Sequence, residues 1–210
     1  MPTEAERGVS GDLANIMIYY IVYFLTKLVS FLCFPRRIYG MEHFPRHGGF
    51  ILASNHISNL DPVVLGISVV RRVNFMAKDS LFKKQPLGFI LKKLWSFPVK
   101  RDQADFGALK EALKRLKRGT PVLMFVEGTR RIGDALPKAQ PGVGFLAVKA
   151  GVPVIPVHVS GTEKVMPPGS RSLTRHLVTV RYGPPVVFNP QDSYENIAQT
   201  ILQSIDRIPA

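Results

Sequence analysis

The chain has 210 residues, enough for one domain with a substantial buried core. Its 28 Lys and Arg against 15 Asp and Glu give a net charge of +13, which calls for an anionic partner: nucleic acid, an anionic membrane surface or a phosphorylated ligand. One cysteine, Cys33, excludes an internal disulfide, and no Cys/His cluster has zinc spacing, so no metal site is expected.

The first compositional break is residues 13–34, LANIMIYYIVYFLTKLVSFLCF. Twenty-two helical residues span about 33 Å, close to the roughly 30 Å hydrocarbon core of a bilayer. Asn15, Thr26, Lys27 and Ser30 interrupt the run, and Lys27 is near enough to one end to snorkel. Glu4, Glu6 and Asp12 precede it and no small-residue cleavage site follows Phe34, which argues against a signal peptide. The segment reads as a spanning helix, a helix lying in one leaflet or, more plainly, a core helix. Acids before it and Arg36, Arg37 and Arg46 after it put the bulk of the chain on the cytoplasmic side in either membrane reading.

Beyond residue 38, apolar runs alternate with helical periodicities. GGFILAS reads as a strand, and Asp61-Pro62 opens a helix through VVLGISVV, with Asp61 as its cap. VNFMAK is a second strand. PLGFILKKLW carries apolar residues at 87, 90, 91, 94 and 95, an amphipathic helix with Lys92 and Lys93 off the stripe. That helix is either an interfacial surface for lipid or a helix packed on the sheet. SFPV is a short strand, and 104–118 a helix whose apolar face is Phe106, Leu109, Leu113 and Leu116, stopped by Gly119. PVLMFV is a strand, 142–150 a helix ending at Gly151, and VPVIPVHV a strand whose prolines confine it to a sheet edge or bulge. LVTVRY follows, and a last helix starts near Asp192 with Glu195 in a capping box. The alternation predicts an α/β fold: a single domain with a mixed, largely parallel sheet flanked by helices, covering 38–210 after a leader and anchoring segment over 1–37.

Chemistry concentrates at strand ends. In SNHISNLDP, residues 54–62, His56 and Asp61 would lie about 140° apart on a regular helix, so only a turn through Ser58 and Asn59 can bring them together. A carboxylate on one ring nitrogen fixes the tautomer and leaves the other as a base. With no serine or cysteine in a nucleophile-elbow pattern, the nucleophile arrives with the substrate, most simply as a hydroxyl. The plainer reading leaves His56 closing a turn and Asp61 capping a helix. FVEGTRR begins where PVLMFV ends. There Gly128 lets backbone amides approach an anion, Thr129 adds a hydroxyl, and Arg130 offers a fork for phosphate oxygens. Glu127 either orients an arginine or accepts from a substrate hydroxyl. SFPVKRD places Lys100 and Arg101 at another strand end, and the turn Ser160-Gly161-Thr162 reads as packing.

Over residues 38–188 the order of these blocks resembles the glycerolipid acyltransferase family, and most closely its bacterial 1-acylglycerol-3-phosphate acyltransferases. The family's N-H-x-x-x-x-D stands as Asn55-His56…Asp61 and its strand ending in arginine as Phe97 to Arg101. Its F-P-E-G-T-R appears as FVEGTR, with Val126 where proline is usual, and its V-P-x-x-P-V as VPVIPV. The resemblance implies a direct acyl transfer from acyl-CoA or acyl carrier protein to the sn-2 hydroxyl of lysophosphatidic acid, without an acyl-enzyme and without a cofactor. His56 would be the general base, Asp61 its orienter, and Arg101, Glu127, Gly128, Thr129 and Arg130 the site for the acceptor's phosphate. It also implies membrane lipids rather than nucleic acid as the partner of the basic charge, and a location on the cytoplasmic face of the cell membrane. The alternatives left standing are another acceptor (glycerol 3-phosphate, a lyso-ornithine lipid, another lysophospholipid), a thioesterase, or a non-catalytic basic binding protein.

Overall fold

The computed structural model describes residues 17, 20–28, 30–31, 33–100, 105–130, 138–167, 169–170 and 172–209. Its seven strands are β1 (Arg36–Tyr39), β2 (Ile51–Ser54), β3 (Asn74–Lys78), β4 (Phe97–Val99), β5 (Val122–Phe125), β6 (Val154–Ser160) and β7 (Val178–Tyr182). They form one sheet in the order β1-β7-β6-β2-β5-β3-β4. Every neighbouring pair is parallel except β6–β7. The expected mixed, largely parallel sheet is therefore present.

Helices cover both faces. The α-helices among the described residues are α1 (20–28), α2 (Asp61–Ser68), α3 (Asp79–Phe82), α4 (Leu87–Lys93), α5 (Phe106–Lys117), α6 (Pro141–Ala150), α7 (Thr162–Val165) and α8 (Tyr194–Asp206), of which α2 lies on one face and α5, α6 and α8 on the other. Alternation along β2 divides the core. Ile51 and Ala53 join Leu116, Leu146, Ile197 and Ile201 from α5, α6 and α8. Phe50 and Leu52 join Val64 and Leu65 of α2 with Ile155, Val157 and Val159 of β6 on the other face. All four residues of β2 are buried, as a central strand covered on both sides requires.

Several local expectations are corrected. β1, a strand the apolar pattern does not single out, pairs with β7 at the sheet edge. α2 stops at Ser68 because Val69 is extended (φ −94°, ψ 149°), two residues short of the expected end. Its cap position is Leu60, and Asp61 sits inside the first turn with its carboxylate turned elsewhere. α5 buries Ala108, Ala112 and Leu116, whereas Phe106 is 77% exposed. α8 is capped by Ser193, whose hydroxyl accepts from the Asn196 amide. β6 is interior, between β7 and β2, despite Pro156. A strand residue's N–H and C=O point the same way, and Pro156 O accepts from Gly183 N at 2.9 Å. Its missing N–H therefore faces the chain leaving β7, beyond the last paired residue, Tyr182.

α6 and α8 meet at Gly144, where an added Cβ would stand 2.2 Å from the Tyr194 carbonyl oxygen. Backbone cannot retreat as a side chain can, so Gly144→Ala should cost roughly 3 kcal/mol, the upper end for overpacking. Thermal denaturation should show a Tm lower by about 6–12 °C; an unchanged Tm would mean the helices separate freely.

Candidate active site

β6, β2 and β5 are adjacent and parallel, so their C-terminal ends open at one edge, where ligands bind in open α/β sheets. Ser54, the last residue of β2, is in register with Phe125 and Val157. Asn55 extends the pairing by imitating a peptide group. Its Nδ2 donates to Val159 O and its Oδ1 accepts from Val159 N, both at 2.8 Å. That double bond fixes the direction in which the chain leaves the sheet, and His56 is next.

The turn expected through Ser58 and Asn59 is present, closed by Asp61 N donating to Ser58 O at 3.2 Å. It brings His56 Nδ1 to 2.8 Å from Asp61 Oδ2. The same oxygen accepts from the amides of Ile57 (2.7 Å) and Ser58 (2.8 Å), and Oδ1 accepts from Thr162 Oγ1 at 2.6 Å. Asp61 is fully buried, and these four donors are the compensation a buried carboxylate needs. A carboxylate only accepts, so the shared proton sits on Nδ1, and in the neutral ring Nε2 is then the acceptor nitrogen. The ring plane is set separately: Phe125 stacks on it at 3.9 Å between centroids and 16° between planes. Tautomer and orientation are thus both fixed before any ligand arrives.

The loop after β5 joins the same edge. Val126 N donates to Ser54 O at 3.1 Å, a bond that proline at this position could not make. Glu127 is buried, Thr129 exposed and Arg130 half-buried. Gly128 is left-handed (φ 72°), and a Cβ there would lie 2.9 Å from Gln140 Cγ. Its own N–H is taken by Phe125 O at 3.0 Å, so Gly128 serves the turn and its amide does not point to an anion. Among the described residues Arg130 makes no ion pair.

Arg101 lies outside the described residues. Its neighbour Lys100 is exposed at the end of β4, three strands from β2, or about 14 Å at ~4.8 Å per strand. The Lys100 amide donates to Asp105 Oδ2 at 2.9 Å, and this bond, followed by that from Ala108 N, holds the Asp105 carboxyl below its usual range.

Two contributors escaped the sequence reading. Phe125 was taken only as the start of FVEGTR, and Thr162 as packing. Both belong to strand ends at this edge, which is the one signal that could have marked them. No group of three or more His, Cys, Asp or Glu among the described residues has the arrangement of a metal site.

Fold and site together define an α/β protein with a hydrogen-bonded histidine–carboxylate pair at the C-terminal edge of its parallel strands. The chain belongs to the Acyltransferase family, whose profile matches residues 35–160. It is 32% identical over 126 residues to the 1-acyl-sn-glycerol-3-phosphate acyltransferase of Bacillus subtilis (strain 168), covering 60% of this chain and 62% of that one. It is 32% identical over 142 residues to the chloroplastic 1-acyl-sn-glycerol-3-phosphate acyltransferase BAT2 of Brassica napus, covering 66% of this chain and 41% of the relative. The match thus spans less than two thirds of the length of these relatives. In fold it is similar to the crystal structure of the 1-acyl-sn-glycerophosphate (LPA) acyltransferase PlsC from Thermotoga maritima. The TM-score is 0.75 at 24% identity, over 95% of this chain and 83% of that one.

Proposed function

We propose that this protein transfers a fatty acyl group from an acyl thioester, acyl-CoA or acyl carrier protein, to the sn-2 hydroxyl of lysophosphatidic acid. The observation that carries this reading is the 2.8 Å bond from His56 Nδ1 to a buried carboxylate, which leaves Nε2 as a base at a ligand-binding edge. Nε2 takes the hydroxyl proton as the oxygen attacks the thioester carbonyl. Collapse of the tetrahedral intermediate forms the ester and breaks the C–S bond, and the departing thiolate recovers the proton from His56. Asp61 stays ionised throughout and stabilises the imidazolium. Arg130, Thr129 and Arg101 hold the phosphate of the acceptor, with Glu127 ordering the loop between them. The names of the relatives support the choice of acceptor.

Both substrates are anionic amphiphiles, in keeping with the net charge of +13. We place the protein on the cytoplasmic face of the cell membrane, held by its N-terminal segment and by α4. Among the described residues no helix is long and apolar enough to cross a membrane. Helical residues 20–28 nevertheless expose Ile21, Phe24, Leu25 and Leu28. Only Gly88 of α4 is buried, while Leu87 and Phe89 are exposed beside Lys83, Lys84 and Lys92, which favours an interfacial helix over a packed one. Replacing Leu87 and Phe89 with serine should remove about 2 kcal/mol of lipid burial and weaken sedimentation with anionic vesicles by roughly thirtyfold. Unchanged partitioning would assign membrane contact elsewhere.

The function is tested by incubating the protein with an acyl thioester and, in parallel, lysophosphatidic acid, glycerol 3-phosphate or no acceptor. Phosphatidic acid from the first alone is the expected result. Product from glycerol 3-phosphate alone would replace the acceptor, and free fatty acid without acceptor would replace transfer by hydrolysis.

A further inference from the structure

We propose that Thr162 is a positioning residue for the His56–Asp61 pair, acting through the carboxylate oxygen that His56 does not touch; this rests on the acyl-transfer reading above. Asp61 Oδ2 is crowded by three donors, all from residues 56–58. These three bonds act on one end of the carboxylate and come from one local turn. Among the described residues Oδ1 has one partner, the Thr162 hydroxyl at 2.6 Å, a second point from a distant element that braces the other end of the carboxylate. The bond is short and charge-assisted, and both residues are fully buried.

The fold holds Thr162 there by several means. Gly161 caps α7 in a left-handed conformation (φ 88°), and a Cβ on it would stand 2.2 Å from the Leu177 carbonyl oxygen, so the turn runs close against the chain entering β7. Ser58 Oγ donates to Met166 O at 3.2 Å, and Asn55 is doubly bonded to Val159. The end of β6 and the turn behind it therefore form a buttress for the 55–61 turn, with Thr162 its contact on the acid itself. The carboxylate supplies no proton, so the Thr162 hydroxyl donates to Asp61 Oδ1 while the Nδ1–H of His56 is held at Oδ2.

The test compares Thr162→Val, which removes the hydroxyl at near-equal volume, with Thr162→Ser, which keeps it. In acyl transfer to lysophosphatidic acid, Thr162→Val should lower kcat by about ten- to hundredfold with KM within about twofold, and Thr162→Ser should stay within about threefold of wild type. In an Asp61→Ala background the valine change should cost less than about twofold more, because its route is gone. Independently of activity, the His56 Nδ1–H resonance, assigned by its loss in His56→Gln, should persist in the serine variant and be lost to exchange in the valine variant. Thr162→Ala removes the same hydroxyl and is read identically if the valine variant does not fold. An unaltered resonance and kcat in Thr162→Val, or an equal loss with and without Asp61, would overturn the assignment. A wild type that transfers no acyl group, while its His56 resonance responds as described, would overturn the function and uphold the positioning role.

Discussion

His56→Ala is expected to lower phosphatidic acid formation by about a thousandfold or more, with the protein still folded and bound to vesicles. The imidazole is held by the surrounding structure through Asp61 on Nδ1 and Phe125 on the ring face, at the edge where β2, β5 and β6 end. Its removal leaves the carboxylate with the Ile57 and Ser58 amides and the Thr162 hydroxyl, so Asp61 stays compensated and the turn keeps its shape. Circular dichroism and vesicle sedimentation should match wild type while turnover collapses. Retention of more than about a tenth of the activity would remove His56 from the chemistry, and a basic protein that only binds anions would not register the change at all.

Asp61→Asn should cost about a hundredfold in kcat, and Asp61→Ala should approach the loss in His56→Ala. The asymmetry of the donors gives the reason. The oxygen position receiving His56 Nδ1, Ile57 N and Ser58 N demands an acceptor, so an asparagine would turn its carbonyl there. Its amide nitrogen would then meet the Thr162 hydroxyl, which can reverse and accept. The tautomer of His56 survives, and what is lost is the negative charge that stabilises the imidazolium. Alanine loses geometry as well. Steady-state kinetics on the two variants separates these contributions, and wild-type turnover in Asp61→Asn would contradict any role for the charge.

How far the site could be read ahead of the structure followed sequence distance. His56 and Asp61 are five positions apart across a turn whose formers are visible, and the helix that Asp61-Pro62 announced is there. What Asp61 does with its carboxylate was not visible, because the competing demand comes from Thr162, 101 residues away. No local pattern encodes that pairing; only the shared edge of β2 and β6 creates it. The helix over 106–117 illustrates a different limit. Leu109, Leu113 and Leu116 pack on the core as their spacing indicates, but Phe106 does not, and the face also includes Ala108 and Ala112, small residues that permit close approach and carry little hydrophobic signal. Pro156 marked β6 as an edge strand by a sound local rule, and the rule yields only because β7 ends where the missing donor points. For Gly128, the permissive backbone was legible, but the use of its amide by Phe125 depends on how tightly the loop turns.

The account stands on an unshared Nε2 that activates an incoming hydroxyl instead of a protein nucleophile. The most direct measurement is a single-turnover reaction in which the intact protein is weighed and the thioester quantified, with and without lysophosphatidic acid. Without acceptor, protein mass and thioester should both remain unchanged; with acceptor, thioester should disappear in step with the appearance of phosphatidic acid. A protein heavier by one acyl group, or thioester consumed in the absence of the acceptor, would contradict it.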